Sequence, residues 1–143
     1  MIKTLRNLSL FILLVIASQS HGQIVKEDRK EDHIDIEYNE CLAKDSTYVN
    51  LCNCAFVAFD KWNKELDVSY KKLLKNLKAE KDKNSLKQAQ AAWLIFRDAE
   101  FKAYNNIFNI PGGKWCGLRQ DGRIDIVRER ALQLRNYAES FKK

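Results

Sequence analysis

The chain reads as an all-α protein: a small helical bundle built on a long antiparallel helix hairpin plus a C-terminal helix, stapled by two disulfides. Three observations carry this expectation. Between Gln23 and Ile110 there is neither glycine nor proline, whereas Pro111, Gly112, Gly113, Gly117 and Gly122 crowd together. Helix breakers therefore interrupt the chain at one place only. Apolar residues recur at steps of three and four, and no alternating strand pattern of any length occurs. Four cysteines, Cys41, Cys52, Cys54 and Cys116, follow an export leader, and an even number in an exported chain points to two bridges.

The leader is residues 1–22. Lys3 and Arg6 form its positive start, Leu8 to Ala17 its apolar stretch, and Ser20 and Gly22 stand three and one residues before a cut at Gln23. That is a secretory signal peptide, too short to span a bilayer. No cysteine lies near the cut, so a lipid anchor there is not supported. Cleavage leaves 121 residues, one domain's worth. It also lowers the net charge from +6 to about +4. Residues 23–37 are charge-dense with isolated apolar residues, a composition that predicts a flexible arm. The helical domain then covers 38–143.

A short helix is expected around Tyr38 to Ala43. The next runs from about Thr47 to Lys78, because Leu51, Ala55, Phe59, Trp62, Leu66, Tyr70, Leu73 and Leu77 mark one stripe. Ser85 and Gln88 form a capping box that predicts a helix from Leu86 to Phe108, with Leu86, Ala89, Trp93, Phe96, Ala103 and Ile107 inward. The short turn before it implies an antiparallel hairpin. After the glycine-rich loop, Ile124, Val127, Ala131, Leu134 and Phe141 mark a last helix from about Arg123 to Lys142. Cys52 and Cys54 lie roughly 200° apart on a helix and cannot bond each other comfortably. Each must take one of Cys41 and Cys116. Cys54 lies nearer the inward stripe, which favours Cys41–Cys54 and Cys52–Cys116, with the crossed pairing open.

Chemistry is sparsely signalled. A Ser-His-Asp site needs a histidine on the scaffold, and His33, the only one outside the leader, falls in the arm. Glu65 and Glu100, each near a tryptophan, are the carboxylates a glycosidase would nominate, yet the chain is too short for a long cleft. No phosphate-cradling glycine motif occurs. Cys52-Asn53-Cys54 is one residue short of zinc-knuckle spacing. The reading is a non-catalytic protein with no catalytic residue, no cofactor and no metal. Lysines interleaved with acids read as a solvated face and not a nucleic-acid site. For binding a protein partner the candidates are Phe108, Ile110, Lys114, Trp115 and Arg119 around the loop, where apolar and cationic groups meet. The competing reading, which is favoured, has Trp115 and Ile110 capping the bundle. Asn63, Glu65, Asp67, Arg97, Asp98 and Glu100 are expected to lock the hairpin, with Arg97 reaching across to Asn63, Glu65 or Asp67.

Certain residues also carry a resemblance. Cys54-Ala55, Glu65-Leu66 and Tyr70, then the run Leu86 to Gln90, Ala92-Trp93 and Phe96-Arg97-Asp98-Ala99-Glu100, and later Gly112-Gly113 with Arg130 and Leu134, resemble the LprI-like lysozyme-inhibitor family over roughly residues 41 to 137. The family's usual cysteine after the Arg-Asp-Ala-Glu run is Phe101 here, and Cys52 is an addition. The comparison implies that Cys52 replaces the missing partner of Cys116. It also implies an exported, periplasmic or secreted helical domain and, for some relatives, inhibition of lysozyme by binding. An envelope structural or stress-related interaction protein with no enzyme target is the alternative. A net charge of about +4 gives no long-range attraction to lysozymes that are basic.

Overall fold

A computed structural model describes residues 31–110 and 114–141 of the chain, the side chain of Lys114 excepted. The expected signal peptide, the expected arm up to Lys30 and Pro111 to Gly113 lie outside the described residues. Four helices and no strand occur among those described: α1 (His33–Lys44), α2 (Tyr48–Asn76), α3 (Glu80–Ile107) and α4 (Lys114–Ser140).

The helix at the centre of the fold is α2, about 43 Å long at 1.5 Å per residue. Thr47 caps it by accepting from the Asn50 amide. Its stripe buries Ala55, Ala58, Trp62, Leu66, Ser69 and Leu73, largely the face that the three-and-four spacing marks. These residues meet Ile124, Val127, Ala131, Leu134 and Ala138 of α4, and Trp62 and Leu134 are wholly buried between the two helices. The two helices run parallel: Cys52 is bonded to Cys116, Glu65 to Arg135, and Asn76 to the Ala138 carbonyl. The second disulfide joins Cys41 to Cys54. The favoured pairing is the one found.

On one side of this pair α1 lies antiparallel to both helices. On the other, α3 folds back along α2, and Phe59 meets the edge of Phe101 with ring centroids 5.7 Å apart. That contact links the two halves of the expected hairpin, while the length of α3 packs chiefly on α4.

Several boundaries differ from the sequence reading. Residues 33–37, placed in the flexible arm, are the first turn of α1. Asp32 caps it by accepting from the Ile34 amide at 3.0 Å, and Ile34 is buried. The charges that argued for disorder have partners on other helices, Arg135 for Asp32 and Arg128 for Asp35 on α4 and Lys61 for Glu37 on α2. The capping box at Ser85 does not form. The third helix starts a turn and a half earlier, with Glu80 and Asp82 complementing the N-terminal end of its dipole. Ser85 instead donates to the Lys81 carbonyl inside the helix. The last helix begins at Lys114 and not Arg123, so Gly117 and Gly122 are helical. At Gly122 a Cβ would stand 2.4 Å from the Tyr104 ring. Its missing side chain is what lets α3 approach α4 there. Phe96, Ile107 and Phe141, expected inward, are more than half exposed.

Candidate partner-binding surface

The loop candidates divide into two groups. Phe108 is stacked between Tyr104 and Trp115, at centroid distances of 5.9 and 6.1 Å. Its carbonyl accepts from Arg119 Nη1 at 3.2 Å. Phe108, Trp115 and Arg119 are thus half-buried parts of the α3–α4 turn, held down beside the Cys52–Cys116 bridge. Ile110 is 46% exposed, and Ile107 and Leu118 beside the same turn are also exposed. The Lys114 side chain lies outside the described residues. The end of the bundle therefore presents aliphatic groups outward, while its aromatic residues close the structure.

A second surface was not legible in the sequence. Between α1 and α4 runs a groove of about 380 Å³, lined by Glu31, Asp35, Tyr38, Asn39, Leu42, Asp121, Ile124, Asp125 and Arg128. Its walls are positioned by polar contacts between the two helices. Arg128 grips Asp35 through both Nε and Nη2, the latter at 2.6 Å from Oδ2. The guanidinium lies over the Trp62 ring at 5.5 Å. Hydrogen bonding to Asp35 raises the Arg128 pKa against the opposing effect of burial. Further along, the Tyr38 hydroxyl donates to Asp121 Oδ1 at 2.5 Å. Burial, reinforced by that bond, pushes the Tyr38 pKa well up, so it remains a donor at neutral pH. Asp125 is held above the usual carboxylate range by burial first, then by the charges of Asp121, Glu129 and Asp35, with only Arg128 opposing. The groove is an acidic field that its single arginine does not neutralise. Leu118, Asp121 and Asp125, at spacings of three and four, lie along one face of α4. An exposed leucine thus continues the acidic row toward the end of the bundle. The signal that would have extended the expected helix back to the start of α1 is the set Ile34, Tyr38 and Leu42, apolar at steps of four within the charged run.

The expected locking residues behave differently from one another. Glu65 does bridge helices, but to α4: it accepts from Arg135 Nε at 2.8 Å and from Ser69. Arg135 also donates to Asp32 at 2.5 Å. Burial alone would raise the Asp32 pKa, and the bonds from Arg135 and the Ile34 amide outweigh it and bring it below the ordinary value. Arg97 does not cross to α2. It pairs with the adjacent Asp98 at 2.6 Å and lies over Trp93 and Phe101. The reason is topological, since α4 runs between the halves of the hairpin and occupies the face Arg97 was expected to use. Asn63 donates to the Phe59 carbonyl within its own helix, Asp67 pairs with Lys71, and Glu100 is half-buried on α3. The polar lock on α3 is Gln90, buried and accepting from Arg130 Nε at 3.0 Å.

For chemistry the arrangement offers little. Glu65 is committed to an arginine, and His33 is an exposed residue of the first turn of α1, 3.1 Å from Asp32. Among the described residues no three His, Cys, Asp or Glu side chains gather as a metal site would need. No described helix is long and apolar enough to cross a membrane.

No curated protein matches the sequence significantly. In structure the chain is similar to an uncharacterized protein from Burkholderia thailandensis, with a TM-score of 0.72 and 27% sequence identity. The likeness covers 80% of this chain but 57% of that one, so this chain spans little more than half of that relative's length. The family model described as lysozyme inhibitor LprI matches residues 33–134, from the first residue of α1 to the last large core residue of α4. The chain belongs to the lysozyme inhibitor LprI family.

Proposed function

We propose that this protein is exported and binds a lysozyme stoichiometrically, without catalysis, using the α1–α4 groove as its docking face. Family membership supports inhibition as the activity. The observation that carries the choice of surface is the acidic row Asp35, Asp121 and Asp125, walled by helices and continued by Leu118. Long-range steering depends on the charge of the face that meets the partner as well as on net charge. A basic lysozyme is attracted to this groove even though the whole chain is basic. Exposed Leu118 and Ile110 then supply apolar contact around the polar groove, as interface anchors do. Two disulfides, Cys41–Cys54 and Cys52–Cys116, suit a chain that works in an oxidising compartment such as the periplasm or the exterior.

The test is a titration of the oxidised protein into lysozymes of differing charge while lysis of cell walls is followed. Inhibition saturating near one equivalent, strongest for basic lysozymes and weakened by salt, is the expected result. D121N/D125N should weaken it, and I110D should weaken it less. Absence of inhibition by excess oxidised protein would reject the reading in favour of an envelope interaction protein with no enzyme target.

A further inference from the structure

The lysines of this chain are segregated. Residues 71–87, which close α2, turn, and open α3, hold seven lysines against Glu80 and Asp82, a net of +5. The other residues of 31–141 hold eleven basic and fifteen acidic side chains, a net of −4. Because α2 and α3 are joined by the short turn 77–79, both lysine-bearing segments sit at one end of the bundle. The C-terminal end of α4 is there too, since Asn76 donates to the Ala138 carbonyl at 3.0 Å. Lys71 pairs with Asp67 and Lys83 with Glu80. Lys75, Lys78, Lys81 and Lys87 are exposed, with no ion pair among the described residues. Phe141, at the close of α4, is 55% exposed at this same end.

A cluster of flexible ammonium groups suits a surface bearing many anionic groups, because each lysine acts as a mobile point charge. The exposed phenyl ring decides which kind of surface. In water it gains nothing from a soluble polyanion, whereas at a bilayer it enters the boundary between headgroups and acyl chains. We infer that the lysine end docks the protein peripherally on a bilayer surface of anionic lipid headgroups. The same field repels the acidic α1–α4 groove, which therefore stays off the membrane and open to a soluble partner. This inference is independent of what that partner is.

The experiment is sedimentation of the processed protein, recovered after export with its N-terminus confirmed by mass spectrometry so that no apolar leader contributes. The vesicles are phosphatidylcholine with and without phosphatidylglycerol, at low and physiological salt. Binding is expected on the anionic vesicles alone, weakening as salt rises. K75Q/K78Q/K81Q should lower partitioning about a hundredfold, at roughly fivefold per lysine. Its far-UV circular dichroism should be unchanged. F141S should lower vesicle partitioning while leaving retention on inorganic polyphosphate as it was. Equal binding to neutral vesicles, no binding at low salt, or a triple variant that binds like the parent would overturn the proposal. So would F141S binding vesicles undiminished, which would assign the lysine end to soluble polyanions instead.

Discussion

Replacing Asp125 by asparagine should make the protein more stable and a poorer binder. Asp125 lines the groove and faces like charges one turn away on either side, Asp121 and Glu129. Two like-charge pairs at four-residue spacing cost roughly 0.2–0.5 kcal/mol each. Arg128 offsets part of this, so D125N should gain about 0.5 kcal/mol at neutral pH. For a domain of this size that is a rise of about 2–4 °C in Tm. The pH dependence fixes the mechanism. A carboxylate whose folded pKa is raised keeps its proton in the folded state where the unfolded state has lost it. Stability therefore falls as pH rises from the ordinary carboxylate value, near 3.9, through the folded one. The deficit is complete at neutral pH and absent in strong acid. Urea unfolding followed by circular dichroism should show D125N ahead at pH 7 and level with the parent near pH 3. Inhibition should move the opposite way, falling most at low salt, where steering is strongest. A variant less stable at pH 7, or a gap that persists in acid, would refute the electrostatic account. Inhibition undiminished at low salt would reject the groove as the docking face.

Other positions make separate tests. G122A gains about 1 kcal/mol of helix propensity but drives a Cβ to 2.4 Å from the Tyr104 ring. Overpacking costs about 1–3 kcal/mol, so the variant should be destabilised on balance by thermal melting, and the sign should reverse in a Y104A background. R135M leaves Asp32 and Glu65 without their shared guanidinium and should cost about 2–3 kcal/mol at pH 7. Since the Asp32 pKa is lowered in the folded state, its contribution is present above the ordinary carboxylate value and lost as pH falls through the folded one. The gap between R135M and the parent should therefore narrow in acid-titrated unfolding. Removing Cys52–Cys116, which spans 64 residues, should cost about 4 kcal/mol, against about 3 kcal/mol for Cys41–Cys54, which spans 13. Denaturant midpoints of C52S/C116S and C41S/C54S check the order.

What the sequence could reveal followed from how local each signal is. The stripe of α2 is written in the spacing of its own residues, so Ala55, Trp62, Leu66 and Leu73 were legible as core. The disulfides were legible because a helix keeps Cys52 and Cys54 apart and leaves two partners to share. The start of α1, residues 33–37, was hidden because its support is remote: Asp32 and Asp35 are satisfied by Arg135 and Arg128, about a hundred residues along the chain. A composition argument counts charges but not their partners, and so it dissolved the first part of that helix into an arm. The groove went unseen for the same reason, since one of its walls was that helix. Arg97 was misassigned because neighbouring helices in sequence were taken as neighbours in space, whereas α4 fills that position.

The run Gln88 to Phe101, the most family-like stretch of the chain, docks α3 onto α4. Only Gln90 is buried along the 28 residues of α3. The helix is held to α4 mainly by guanidinium groups on aromatic rings, Arg130 over Trp93 and Arg123 over Phe101 at 5.0 Å, while Arg97 of α3 itself lies over the same two rings. Three arginines of α4 facing this seam, Arg119, Arg123 and Arg130, bond carbonyl or amide oxygens and not carboxylates. Burial lowers the pKa of Arg123 and Arg130, and nearby Arg119 adds to the effect on Arg123. Such contacts are worth about 0.5–2 kcal/mol each, well below what a stripe of buried leucines would provide. The α3 helix should then be the first to open. Native-state hydrogen exchange should find α3 amides exchanging through an opening of lower free energy than those of α2 and α4 around Trp62 and Leu134. R130Q should lower the α3 opening energy further while leaving the α2 protection in place. Uniform protection across all three helices would mean that the arginine seam binds as tightly as the core, and the weakness inferred from its burial would be wrong.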